Sequence, residues 1–153
     1  MARLKDMPES LRKPIESLDC PIFENPSFAR DVKLTDARVS IVSTAALTTR
    51  KDKTFSIGES DYRVIPGNVR AGDLIMSHIS PNYDRTGFQQ DLNVVFPIDR
   101  LNEMADEGQI SSVGDYHYSL MGSSDPIMME SSADEISALL NRDGVNTLLL
   151  VPV

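Results

Sequence analysis

The chain holds two histidines, His78 and His117, and acid–base chemistry near neutral pH centres on such imidazoles. His78 stands first, because Asp84 and Asp91 follow it closely in sequence. An imidazole oriented by a carboxylate can act as general acid or base, and a nucleophile placed nearby would gain from it. Asp91 and Asn93 alternate at strand spacing, which puts both on one side of the chain, to contact substrate or to hold a loop together. The plainer reading makes His78 the end of a strand and the aspartates turn residues. Ser43 and Tyr118 join as substrate-binding candidates at the same rim. Tyr118 reads equally as a buried, hydrogen-bonded core residue. Strand alternation turns His117 and Tyr118 to opposite faces.

Other chemistries lack their residues. His78, His117, Asp84 and Asp91 contain no tight ligand spacing such as H-x-x-x-H or H-E-x-x-H, so no metal site is expected. Neither a P-loop nor a G-x-G-x-x-G turn is present, and Ser43 and Ser77 lack the G-x-S-x-G elbow. Cys20 is the only cysteine, which leaves no intramolecular disulfide and no cysteine-based zinc site. It reads as a small apolar residue beside Pro21. Gly122-Ser-Ser-Asp125 either cradles an anion with backbone amides or simply turns the chain. Met121, Met128 and Met129 read as core filler.

The elements that must position these residues follow from pattern. Arg38–Leu47 is short, apolar and β-branched, as in a strand buried on both faces. Tyr62–Pro66 alternates like an edge strand, Asp73–Ile79 reads as another strand, and 81–90 as a loop. Asn93–Phe96 is a brief apolar run. Ile98, Leu101, Met104 and Ala105 share one helical face over 98–107, between Pro97 and Gly108. Tyr116–Met121 reads as a strand. Ser132 and Glu135 form a capping box for the next helix, which Gly144 ends. Val145–Val153 is a final apolar strand. Residues 1–37 form an arm with a short helix through Leu4, Met7 and Leu11. Pro14, Pro21 and Pro26 then punctuate irregular chain, which Ile15, Leu18, Ile22, Phe23 and Phe28 pin to the domain.

Strands alternating with helices indicate one α/β domain over 38–153, with a mostly parallel sheet of Rossmann-like or flavodoxin-like type. The chain has 153 residues, 41% hydrophobic and 25% charged, which suits one folded domain. A net charge of −8 disfavours phosphate backbones, so no nucleic-acid partner is expected. No apolar run is long enough to span a membrane, and the start lacks a secretory apolar region. The expectation is a soluble, cytoplasmic protein. The ending, Leu148-Leu-Leu-Val-Pro-Val153, stops within an apolar strand, at the place where open α/β sheets bind ligands. The domain is therefore expected to be incomplete at its C-terminus.

Several segments, in order, resemble the selenoprotein B family of glycine, sarcosine, betaine and D-proline reductases. They are Val39-Ser-Ile-Val-Ser-Thr-Ala45, Ser60-Asp-Tyr-Arg-Val-Ile-Pro66, Ser77-His78, Asp84 and Asp91-Leu-Asn-Val-Val-Phe-Pro97. Arg100-Leu101, Glu107-Gly-Gln-Ile110, Tyr118-Ser-Leu-Met-Gly122 and Gly144–Val153 continue the set. The length is closer to that of the D-proline reductase small subunit. The resemblance implies a redox selenocysteine, or cysteine, directly after a terminal strand like this one, with a downstream cysteine to resolve the intermediate. It also implies a partner reductase subunit whose pyruvoyl group holds the substrate amine, and membership of an oligomer.

On that resemblance the chain is expected to be the N-terminal part of a reductase subunit, interrupted at a UGA codon read as a stop. The whole protein would cleave C–N bonds of a small amine or amino acid, with His78, Asp84, Asp91, Asn93, Ser43 and Tyr118 at the rim. No cofactor is expected within the 153 residues, and these alone are expected to be inactive. A non-catalytic α/β binding or assembly subunit is the alternative. A small hydrolase or lyase using His78 and the aspartates comes last.

Overall fold

The computed structural model describes residues 4–17, 19, 22, 24, 29–80 and 84–153. Cys20, Leu18, Phe23, Phe28, Pro21, Pro26 and Pro81 lie outside them. Helix α1 is Glu9–Glu16 and contains Pro14, so that proline does not mark irregular chain as expected. Proline withholds one helical donor. Here the helix is exposed, and water can satisfy the carbonyl left over. Ile15 and Ile22 do not pin the arm, being 43% and 96% exposed.

Strand β1 is Arg38–Ser43, and β2, Leu47–Thr49, follows after a sharp turn. Next come β3, Arg63–Pro66, and β4, Leu74–Met76. The 81–90 segment ends in a short helix, α2, Thr86–Gln90. Asn93–Phe96 is not extended. A 3₁₀ turn runs over Leu92–Val94, because the Asp91 side chain accepts the Asn93 amide and caps it. Helix α3 is Ile98–Asp106, placed by Pro97 and Gly108 as expected. Strands β5, Ser112–Val113, and β6, Tyr116–Ser119, precede helix α4, Glu130–Arg142, and strand β7, Thr147–Val151.

The start of α4 departs from the capping box. A 3₁₀ turn over Pro126–Met129 runs straight into the helix. Asp125 initiates that turn by accepting the Ile127 amide at 3.0 Å. Ser132 therefore lies inside the helix, and its hydroxyl donates to the Ser60 carbonyl at 2.8 Å. Glu135 accepts from the Tyr62 hydroxyl. The far end behaves as read: Gly144 has φ +69°. Its amide and that of Val145 return to the Asn141 and Leu140 carbonyls, a Schellman closure.

The main sheet has five strands and is mixed but mostly parallel. β7 pairs with one edge of β1 over Val39–Ser43, in parallel. β5 and β6 share the other edge, also parallel, and β3 lies antiparallel outside β6. β2 and β4 form a separate antiparallel pair. Val39 and Ile41 face α3 through Ile98 and Leu101. Val42 and Tyr118 face Ile136 and Leu140 of α4. Helices thus cover both faces of an α/β layer. β7 is less buried than its composition suggests: Leu149 and Val151 pack on the core, whereas Leu148 and Leu150 are 40% and 65% exposed. It has one partner strand among the described residues, and one of its faces is left open.

The β5–β6 edge carries an irregularity. Val39 pairs with Val113 and Val42 with Tyr118, so Ser40 and Ile41 face the four residues 114–117. The excess chain bulges. The Ile41 amide then has no carbonyl opposite it, and the His117 ring fills the gap, Nδ1 accepting that amide at 3.0 Å.

Candidate functional site

The parallel strands β1, β6 and β7 all end on the same side of the sheet, and their exits meet. Ser43 ends β1 with its hydroxyl donating to the Val95 carbonyl at 2.8 Å. The chain then turns through Thr44, Ala45 and Ala46. Ala46 sits at φ +52°, fully buried, a left-handed conformation that an alanine rarely adopts. Its carbonyl receives both the amide and the hydroxyl of Ser77 at 2.9 Å. Ala45 bridges to Met121 beyond β6. The Gly122 amide donates to the Thr44 carbonyl at 3.0 Å. Two residues past β7, the Val153 amide donates to the Thr44 hydroxyl at 2.8 Å.

Gly122 owes its identity to this crowding. A Cβ there would stand 2.8 Å from the Val153 carbonyl oxygen and 2.9 Å from that of Thr44. Both contacts are with backbone and neither can yield cheaply. Three exits are thereby locked together by Thr44 and Gly122. The expected site set did not single out either residue. A glycine just after a strand is the sequence signal of a close backbone approach, and it was available.

His78 lies one residue beyond the Ser77–Ala46 contact, which brings it to this end of the sheet. It is buried, 6% exposed. Burial, helped by the positive charge of Arg85, lowers its pKa below the ordinary histidine value. The ring is therefore neutral near pH 7. Nδ1 accepts the Ser80 amide at 3.3 Å, so the ring proton belongs on Nε2. Arg85 donates to the carbonyls of His78, at 2.5 Å, and Ser80, at 3.4 Å.

The aspartates are engaged locally. Asp84 is exposed and accepts the Thr86 amide at 2.9 Å, which lowers its pKa. Asp91 accepts both the side-chain and backbone N–H groups of Asn93 at 2.9 Å, and these bonds lower its pKa. Asn93 also donates to Asp99 at 2.9 Å and accepts the Asp99 amide at 3.1 Å. The loop is thus braced from within and moored to the rim where Val95 receives Ser43. Arg85 joins the Asp84 turn to the His78 segment.

Tyr118 points the other way. It is buried against α4, with its ring edge-on to Tyr62 at 5.9 Å. His117 faces the α3 side, as alternation requires, edge-on to Phe96 at 5.4 Å. Burial lowers its pKa to about 4. Ser43 and His78 therefore share the rim, Asp84 and Asp91 brace its loops, and Tyr118 lies behind it. Among the described residues no group of three or more His, Cys, Asp or Glu side chains could hold a metal ion. No described helix is long and apolar enough to cross a membrane.

A family model described as glycine/sarcosine/betaine reductase selenoprotein B matches residues 65–153. D-proline reductase subunit gamma of Acetoanaerobium sticklandii is 32% identical over 121 residues, which cover 77% of this chain and 49% of the relative. The chain thus spans about half the length of that curated relative. No solved structure matches.

Proposed function

Because the chain belongs to the glycine/sarcosine/betaine reductase selenoprotein B family, we propose that it forms the scaffold-bearing part of a reductase subunit, working in the cytoplasm beside a partner subunit. The substrate is a small amine or amino acid whose C–N bond is cleaved reductively. The redox residue lies in chain that follows Val153. A selenol or thiol there supplies the nucleophile and, with a second thiol, the two electrons for that cleavage.

One observation carries this reading. The strand order β6–β1–β7 supports a flavodoxin-like reading of this mixed sheet. In such an arrangement ligands bind beyond the carboxyl ends of the strands, where the strand order reverses. The junction of Thr44, Gly122 and Val153 occupies that boundary. The chain's own residues then have simple tasks. The neutral His78 ring takes a proton at the rim, as a general base, once Nδ1 releases the Ser80 amide. Ser43, Asp84, Asp91 and Asn93 keep its loops in place, and Tyr118 supports the sheet from behind.

The native gene should be read past Val153, and the native protein weighed intact with selenium analysis. The expected result is an in-frame UGA followed by more coding sequence, and a heavier, selenium-bearing species. A true stop codon with a mass equal to that of 153 residues would overturn the reading and favour a non-catalytic assembly subunit.

A further inference from the structure

Regular pairing of β1 with β7 would send the Val153 amide to the Thr44 backbone carbonyl, since the Thr44 amide already donates to the Val151 carbonyl at 3.1 Å. That does not happen. The Thr44 carbonyl is taken by the Gly122 amide, and the Thr44 hydroxyl accepts the Val153 amide in its place. The same hydroxyl lies 3.4 Å from the Val153 carbonyl oxygen, to which it donates. One side chain therefore meets both the amide and the terminal carbonyl oxygen of Val153. Gly122 crowds that same oxygen and the Thr44 carbonyl, with no room for a Cβ. The turn that delivers Thr44 is bought with a left-handed, fully buried alanine at position 46. Such strain, held in place by its surroundings, is the mark of a geometry that the structure over-determines.

We propose that Thr44 and Gly122 are positioning residues for the reductase, fixing the direction in which the chain leaves β7 and so the placement of the redox residue that follows. The inference rests on the reductase reading above. Neither residue touches the reacting atoms. Each acts through the peptide at Val153. Misplacing a reacting group by a fraction of its contact distance slows the chemical step more than it weakens binding.

The test uses the native reductase complex, with whichever of glycine, sarcosine, betaine or D-proline the wild type reduces. Thr44→Val keeps the shape of the side chain and removes its hydroxyl. It should lower kcat about tenfold or more with KM within about twofold. Thr44→Ser restores the hydroxyl and should return kcat to within about threefold of wild type. Gly122→Ala should lower kcat as Thr44→Val does. Hydrogen exchange in the wild type needs no variant, and the Val153 amide should be protected like those of β7. Wild-type kcat in Thr44→Val, a kcat that Thr44→Ser does not restore, or rapid exchange at Val153 would each overturn the inference while leaving the reductase reading intact. A wild-type complex that reduces none of the four substrates would remove both.

Discussion

At its amino end β1 is clamped by charge, and at its carboxyl end by hydroxyls and tight backbone. Arg38 donates to the Asp143 side chain at 2.7 Å and to the Asp143 and Val113 carbonyls at 2.8 Å. It also pairs with Asp115 at 3.2 Å. One guanidinium thus ties β1, β5 and the end of α4 together. Its pKa is raised by the Asp143 hydrogen bond. Burial works against the charge on Asp143, yet the Arg38 hydrogen bond and the amides of Asp115 and Tyr116 hold its pKa below the ordinary value. At the other end the described contacts are of another kind. Ser43, Thr44, Ser77 and Gly122 meet through neutral hydrogen bonds around a strained alanine. Paired charges saturate one another and leave little for a ligand. The two ends of β1 are thus held differently, one by paired charges and one by neutral hydrogen bonds, and the proposed function places the chemistry at the second.

The largest expected effect comes from breaking the charged end. Asp143→Ala leaves a half-buried guanidinium without its main partner and should destabilise the domain by about 3 kcal/mol. Urea unfolding measures this, and the reaction rate per folded molecule should stay unchanged. A loss of kcat without loss of stability would break the assignment of the two ends.

Next is the bulge between them. The His117 ring accepts the Ile41 amide only while neutral, and burial lowers its pKa from 6.5 to about 4. The unfolded chain binds that proton more readily, so stability is fully present above pH 6.5 and falls as pH drops toward 4. The loss over that window is about 3 kcal/mol, shared in direction with His78. Urea titrations at pH 7 and pH 4.5, on wild type and His117→Gln, should show the slope flattening in the variant. Equal slopes in the two proteins would place the pH dependence elsewhere.

The smallest effect sharpens the account of the rim. Ala46→Gly relieves about 1 kcal/mol of left-handed strain. It also removes a methyl group buried with Phe55 and Met121, worth about 0.8 kcal/mol, and frees the unfolded backbone. The two sides nearly cancel, so thermal unfolding should shift by less than about 2 °C. A large stabilisation would mean that the methyl packs poorly and that the strain is the dominant local cost.

Much of this was legible in the sequence. The apolar β-branched run gave β1, and the spacing of Ile98 and Leu101 between Pro97 and Gly108 gave α3. Gly144 gave the end of α4. Alternation put His117 and Tyr118 on opposite faces. What pattern could not give was contact between distant segments. Ser132 and Glu135 have the spacing of a capping box, but Asp125–Pro126 begins the turn earlier, and both side chains go to the 60–62 segment instead. Asp91 and Asn93 have strand-like spacing, but Asp91 instead caps a 3₁₀ turn over Leu92–Val94. The composition of Val145–Val153 suggests a strand covered on both faces, yet only one face meets a helix. The rim itself was half legible: Ser43 and His78 were marked by residue type, whereas Thr44 and Gly122 matter through a peptide over a hundred positions away from Thr44, which no local spacing reveals.

The proposal that function belongs to the carboxyl rim is tested most directly by hydrogen exchange on the native protein with whatever partner it carries. Exchange would be compared with and without saturating glycine, sarcosine, betaine or D-proline, each in turn. The account predicts added protection at residues 44–46, 77–79 and 122–125, with no change at 112–115 and 142–146. Protection confined to the Arg38–Asp143 end would contradict it.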